Sequence, residues 1–136
     1  MRIYLAGPMT GMPERNAPAF AEAARELRKQ GHLVYCPPES GTHDLATWED
    51  FVARDMLQLA EVQAVVVLPG WSQSRGALLE VFWARVAGKA ILSYPAGALQ
   101  PLFGWRLEMI LATIRRVFSG QGTPPAKGAS HEPEHP

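Results

Sequence analysis

A single cysteine, Cys36, stands in the 136-residue chain, so no disulfide can form within it and a stapled, secreted fold is not expected. Excess charge of either sign is missing too, since 13 basic and 13 acidic residues cancel to a formal net charge of +0. Without a basic surplus there is no general grip on phosphate backbones, so duplex nucleic acid is not an expected partner. No stretch approaches the ~18 consecutive apolar residues of a membrane span. The apolar run at the N-terminus is too short for a secretory signal. The cytoplasm is therefore the expected location, with no membrane partner. The four histidines are scattered without metal-ligand spacing, so neither a metal nor a cofactor is expected. Cys36 closes an apolar run before Pro37 and Pro38 and reads as a buried side chain rather than a catalytic thiol.

What is present is a globular composition, 47% hydrophobic, in a length that suits one domain. Residues 2–6 form a short apolar strand ending at Gly7. A helix is expected over 17–30 from Phe20, Ala23, Ala24 and Leu27, with Asn16 as its N-cap and Gly31 as its stop. Residues 33–36 make a second strand, and a polar loop runs from 39 to 46. Thr47 and Asp50 form an imperfect capping box for a helix that buries Phe51, Met56 and Leu59. Residues 64–68 are β-branched and apolar on both faces, the pattern of a central parallel strand. A helix over 77–87, a strand over 90–94 and an amphipathic helix over 105–118 follow, the last with Leu107, Ile110, Leu111 and Ile114 on one side. From 119 to 136 no apolar periodicity exists, which predicts a disordered tail, His131 and His135 included, after a single domain over 1–118. Alternating strands and helices specify an α/β fold, a flavodoxin- or Rossmann-like parallel sheet of four to five strands with helices on both faces. Ligands of such sheets bind beyond the carboxyl ends of the strands.

Two loops lie at those ends. The first offers Gly7, Pro8, Met9, Thr10 and Gly11, with two glycines for close backbone approach and a hydroxyl, parts of an anion or ribose cradle. It matches neither a Walker loop nor a dinucleotide fingerprint, and an ordinary strand-to-helix turn would also account for it. The second carries Trp71, Ser74, Arg75 and Gly76. Ser74 and Arg75 are donors for a phosphate or sugar hydroxyl, Gly76 opens a helix start, and Trp71 either packs or stacks on a nucleobase.

Glu80 lies beyond that loop among Ala77, Leu78, Leu79, Val81, Phe82 and Trp83. Buried carboxylates are rare unless paired or functional. With the helix start and Arg75 expected to keep it ionised, Glu80 suits nucleophilic attack on an anomeric carbon. Asp55 lies one turn from both Phe51 and Leu59 and is the candidate proton donor to a departing base. The plainer reading is an ion pair of Arg54 with Asp55 or Glu49.

These segments also carry a resemblance. Residues 3–11, residues 64–71 and the Ser-x-Gly-x-x-x-Glu run from Ser74 to Glu80, followed by Ala84, Gly88 and Lys89, resemble the nucleoside 2-deoxyribosyltransferase superfamily. The nearest part of it is a small phage and bacterial branch, also similar to the deoxynucleoside 5′-monophosphate N-glycosidases. The resemblance covers about residues 2–94. It implies a flavodoxin-like fold, a nucleophile at Glu80 and a glycosyl-enzyme intermediate resolved by water or by a second base. It also implies that the first loop and Ser74–Arg75–Gly76 hold a 5′-phosphate. Relatives that act as transferases often have Asp where Ser74 stands, and many have Asp where Gln63 stands, which leaves the proton donor to Asp55. Homo-oligomers are usual in that superfamily. The expected function is thus cleavage of the N-glycosidic bond of a nucleoside or its monophosphate. Two competing readings are a non-catalytic nucleotide-sensing module and an NAD-cleaving enzyme of the related Toll/interleukin-receptor type.

Overall fold

A computed structural model describes residues 1–41, 47–94, 100–101 and 106–119, apart from the side chains of Trp48, Gln100 and Pro101. Strand β1 (Arg2–Ala6) leads through a 3-10 turn to helix α1 (Ala17–Lys29), then to β2 (Leu33–Tyr35). Helix α2 (Trp48–Glu61), β3 (Ala64–Val67), α3 (Arg75–Val86), β4 (Ala90–Ser93), a two-residue β5 (Gln100–Pro101) and α4 (Leu107–Phe118) follow. The strand order is β2-β1-β3-β4-β5, parallel throughout except for the antiparallel β4–β5 pair. This is the flavodoxin-like α/β arrangement expected from the alternation of strands and helices.

Strand alternation divides the core. Ile3 and Leu5 of β1 face α1 with Phe20, Ala23, Ala24 and Leu27. Tyr4 and Ala6 face the opposite layer, with Leu59 of α2, Ala77 to Ala84 of α3 and Ile110 of α4. All four residues of β3 are buried, as a central strand covered on both faces must be. From β1 the chain moves outward to β2, then crosses back to β3 on the other side. The topological switch therefore lies between β1 and β3, and ligands of such sheets bind beyond the carboxyl ends of the strands there.

Thr47 caps α2 with a full capping box: its Oγ1 accepts from the Asp50 amide at 3.2 Å, and the Asp50 carboxylate accepts from the Thr47 amide at 3.0 Å. Several expected details differ. Asn16 sits at the start of α1 without capping it, because its backbone is left-handed at φ 62 and its amide nitrogen donates instead to the Pro8 carbonyl at 2.9 Å. Helix α3 starts two residues earlier than expected, since Ser74 rather than Gly76 stands at its N-cap. Leu107 is 38% exposed, because α4 begins there and only Ile110 of that helix is fully covered. The tail expected to be disordered lies, from residue 120 onward, outside the described residues, as do residues 42–46.

Candidate functional site

Each of two neighbouring helices turns one stripe of side chains to the sheet. On α2 the stripe runs Phe51, Asp55, Leu59, then on to Val62, all buried, so a carboxylate occupies a core position one turn from an apolar side chain on either side. On α3 the stripe is Ala77, Glu80, Val81 and Ala84, and again a carboxylate takes a core position. Asp55 and Glu80 both have no solvent exposure. They meet at Tyr4, in the middle of β1, whose hydroxyl donates to Glu80 Oε1 at 2.8 Å.

The surroundings of the pair are specific. Tyr4 and Tyr35 are register partners on β1 and β2, and their rings stack with centroids 5.3 Å apart. Ser40 donates to the Tyr35 hydroxyl at 3.0 Å. Arg54 Nε donates to Asp55 Oδ1 at 2.9 Å, Arg54 Nη1 donates to the Gly41 carbonyl at 2.9 Å, and the guanidinium lies 5.4 Å from the Phe51 ring centre. The ion pair named as the plainer reading of Asp55 therefore exists, but buried rather than at the surface: Arg54 is 18% exposed and Asp55 not at all.

Burial dominates the electrostatics. Removal from water pushes Asp55 up to about 6, against the pull of Arg54 and, more weakly, of the Tyr4 and Tyr35 hydroxyls. Burial and then the Asp55 charge push Glu80 well above the ordinary carboxylate range, opposed by the Tyr4 hydrogen bond and by Arg54. Burial, followed by the negative charges of Glu80 and Asp55, likewise raises Tyr4. Burial thus biases both carboxyls toward the protonated form. The sequence-based expectation that Arg75 keeps Glu80 ionised is not met. Arg75 is exposed, its guanidinium 4.4 Å from the centre of the Phe118 ring, and Arg54 is the cation that acts on Glu80.

The two loops leave the carboxyl ends of β1 and β3 and pack against each other. A Cβ on Gly7 would come within 2.9 Å of Leu68 Cβ, and one on Gly70 within 3.3 Å of Pro8 Cγ. Gly7 thus serves the contact of the two loops themselves, and the close approach it permits is to Leu68. Met9 is a core residue, 2% exposed, and Pro8 lies against the second loop. Gly11 takes φ +77 in open space. Glu14, Arg15 and Asn16 all have positive φ, a run of left-handed residues that costs about 1–2 kcal/mol each and is pinned by the Asn16–Pro8 bond. Ser74 is buried and its Oγ accepts from the Ala77 amide at 3.2 Å, so this hydroxyl caps α3, while Gly76 lies buried in the first turn. Trp71 is 8% exposed within the core of the α3 side, which favours the packing alternative over a base-stacking face. Gln63 sits at the far end of β3, where its Oε1 accepts from the Arg2 amide at 2.9 Å, remote from the carboxyl pair.

Sequence reasoning missed Tyr4, Tyr35 and the buried state of Arg54. A signal existed for Tyr4: a tyrosine in an otherwise aliphatic buried strand needs a hydrogen-bond partner for its hydroxyl. Among the described residues, three polar atoms of this cluster, Glu80 Oε2, Asp55 Oδ2 and Arg54 Nη2, and Thr10 Oγ1 of the first loop are buried without a hydrogen-bond partner. Native proteins leave few such atoms, and each costs about 1–3 kcal/mol. The three atoms of the cluster thus keep hydrogen-bonding capacity that no described residue uses. Among the described residues no helix is long and apolar enough to cross a membrane, and no group of three metal-ligating side chains occurs.

A family model described as a domain of unknown function (DUF4406) matches residues 1–93, a span that contains both loops, Tyr4, Arg54, Asp55 and Glu80. No curated protein and no solved structure matches the chain.

Proposed function

For this chain, which belongs to the DUF4406 family, we propose cleavage of the N-glycosidic bond of a nucleoside or deoxynucleoside, or of its 5′-monophosphate, with Glu80 as nucleophile and Asp55 as acid. One observation carries the reading: two fully buried carboxyls on adjacent helices, each with an unpartnered oxygen, beside the Tyr4 hydroxyl of β1. The resemblance to nucleoside 2-deoxyribosyltransferases and monophosphate N-glycosidases, which falls on the same residues, supports it.

The chemistry needs Glu80 ionised and Asp55 protonated, an arrangement that burial of Glu80 opposes and the Tyr4 hydrogen bond favours. In that form a Glu80 oxygen bonds to the anomeric carbon as the bond from that carbon to the base nitrogen breaks. The released electron pair goes to the base, which takes the proton from Asp55. Tyr4, donating to Oε1, leaves Oε2 as the attacking atom and favours the ionised form of Glu80. The ester is then resolved at the same carbon by water or by a second base, with Asp55 taking up the incoming proton. Thr10, Gly11 and the start of α3 at Ser74 and Gly76 would receive the 5′-phosphate. Exposed Leu57 and Val86, on the neighbouring helices α2 and α3, suit a homo-oligomer.

The test is chromatographic. Nucleosides and monophosphates are incubated with the protein, with and without an acceptor base. Free or exchanged base is expected from wild type and none from folded Glu80→Gln. Turnover that survives in Glu80→Gln would end the covalent mechanism. Ligand binding without any base release by wild type would favour the non-catalytic nucleotide-sensing reading.

A further inference from the structure

Arg54 is the least explained member of the cluster. Its guanidinium is a planar fork with a fixed set of N–H directions. Nε is committed to Asp55 Oδ1 and Nη1 to the Gly41 carbonyl, so the head cannot swing without breaking two bonds of 2.9 Å. The Phe51 ring beside it restricts it further. Nη2 is buried and has no partner, and Asp55 Oδ2, on the carboxyl that Nε holds, has none either. Both unsatisfied atoms belong to this one ion pair, each one bond angle from an atom of the same 2.9 Å contact, so a single ligand of base size can reach both.

We infer that Arg54 selects the departing base, by requiring a base edge that carries two adjacent hydrogen-bond acceptors. The inference rests on the proposed role of Asp55 as the acid. A protonated Asp55 donates to the base atom that is to be protonated, and Arg54 Nη2, a donor that cannot be deprotonated, then faces the neighbouring position. Guanine and hypoxanthine present O6 beside N7, and cytosine presents O2 beside N3, which satisfies both donors. Adenine places an amino group beside N7, and thymine and uracil place N3–H beside each carbonyl oxygen, so one donor of the cluster meets another donor. A buried donor left against a donor is the kind of mismatch that binding sites reject most strongly. Arg54 is then a specificity-determining residue, with its hold on Asp55 a separate and structural service.

The experiment separates this inference from the reading it rests on. Binding of dIMP, dCMP, dAMP and dTMP to Glu80→Gln is measured by calorimetry at pH 5, where Asp55, raised by burial to about 6, carries its proton, and base release from the same four is measured with wild type. The expected result is that dIMP and dCMP bind about tenfold or more tighter than dAMP and dTMP. Arg54→Lys keeps a cation beside Asp55 but lacks the fork; combined with Glu80→Gln, it should bring all four nucleotides within threefold of one another. The same collapse is expected with Arg54→Met if that variant folds, as checked by circular dichroism. Equal binding of the four, a preference for dAMP, or a preference that persists in folded Arg54→Lys would overturn the inference. If neither Arg54 variant folds, the affinity ratio in Glu80→Gln alone decides, and a ratio below threefold refutes it. A base preference in binding with no base release by wild type would instead sink the glycosidase reading while leaving the base-selecting contact in place.

Discussion

The buried carboxyl pair makes a prediction about stability that needs no substrate. Asp55 titrates near 3.8 when the chain is unfolded and at about 6 when folded, and Glu80 is also raised on folding, both chiefly through burial. A carboxyl whose folded value is raised binds more protons in the native state over that interval. Its contribution is intact below the unfolded value and is lost as pH rises through the folded one. For Asp55 alone the loss reaches about 3 kcal/mol above pH 6, about half of it already spent by pH 5. In a domain of this size the half that falls between pH 5 and 8 lowers Tm by about 5 °C. Glu80 acts in the same direction. The opposing carboxylates, Glu26 and Glu39, are held below 4.5 by Lys29 and Arg28 respectively, so their effect falls at more acid pH and leaves the interval from 5 to 8 clear. Wild type should therefore melt at a higher temperature at pH 5 than at pH 8. Glu80→Gln keeps an oxygen to accept the Tyr4 hydroxyl, cannot ionise, and removes the like charge facing Asp55. It should melt above wild type at pH 8 and show a flatter profile between 5 and 8. Differential scanning calorimetry in matched buffers is the assay. A wild-type Tm that is flat or rises over that interval, or a Glu80→Gln protein less stable than wild type at pH 8, would refute the account of the pair.

Three further outcomes are expected. Tyr4→Phe removes the donor that lowers Glu80, so it should cost about 1–2 kcal/mol in denaturant melts and move the rising limb of the base-release profile to higher pH; an unshifted limb would show that the hydroxyl does not act on the nucleophile. Gly7→Ala drives a methyl group to within 2.9 Å of Leu68 Cβ, and the backbone shift this demands should cost about 1–3 kcal/mol, read as a lowered Tm. Ending the chain after Ser119 removes a Pro- and Gly-rich stretch without apolar periodicity, and Tm and base release should both stay at the full-length level.

Much of the fold was legible because its elements carry strong local signals. The apolar run at β3, the 3.6-residue stripes of α1 and α2 and the capping box at Thr47 each state their element in the sequence. What was not legible depended on tertiary partners. The pairing of Gln100 and Pro101 with β4 has two residues and no periodicity to announce it. Asn16 has the side chain of a good cap, yet the left-handed run from Glu14 turns it toward Pro8, and no local pattern predicts such a run for residues with side chains.

The candidate site divides along the same line. Glu80 and Asp55 stood out because each interrupts an apolar stripe, a conflict between residue and position that is visible in one dimension. Tyr4, Arg54 and Tyr35 did not, since a tyrosine in a strand or an arginine on a helix fits its place until the neighbours are known. The structure adds that the two interruptions are one feature. Asp55 and Glu80 come from helices on either side of β3, and both are brought to the layer that contains Tyr4. Replacing buried ionisable groups of this kind with apolar ones is often stabilising, and here the pair opposes folding above about pH 6. A purely structural role would have to offset that penalty with complete hydrogen bonding. Oε2, Oδ2 and Nη2 instead lack partners among the described residues, on three side chains linked through Tyr4 and the Arg54–Asp55 pair. The unsatisfied atoms are thus a cost that packing does not explain, and the proposed base and sugar would relieve it.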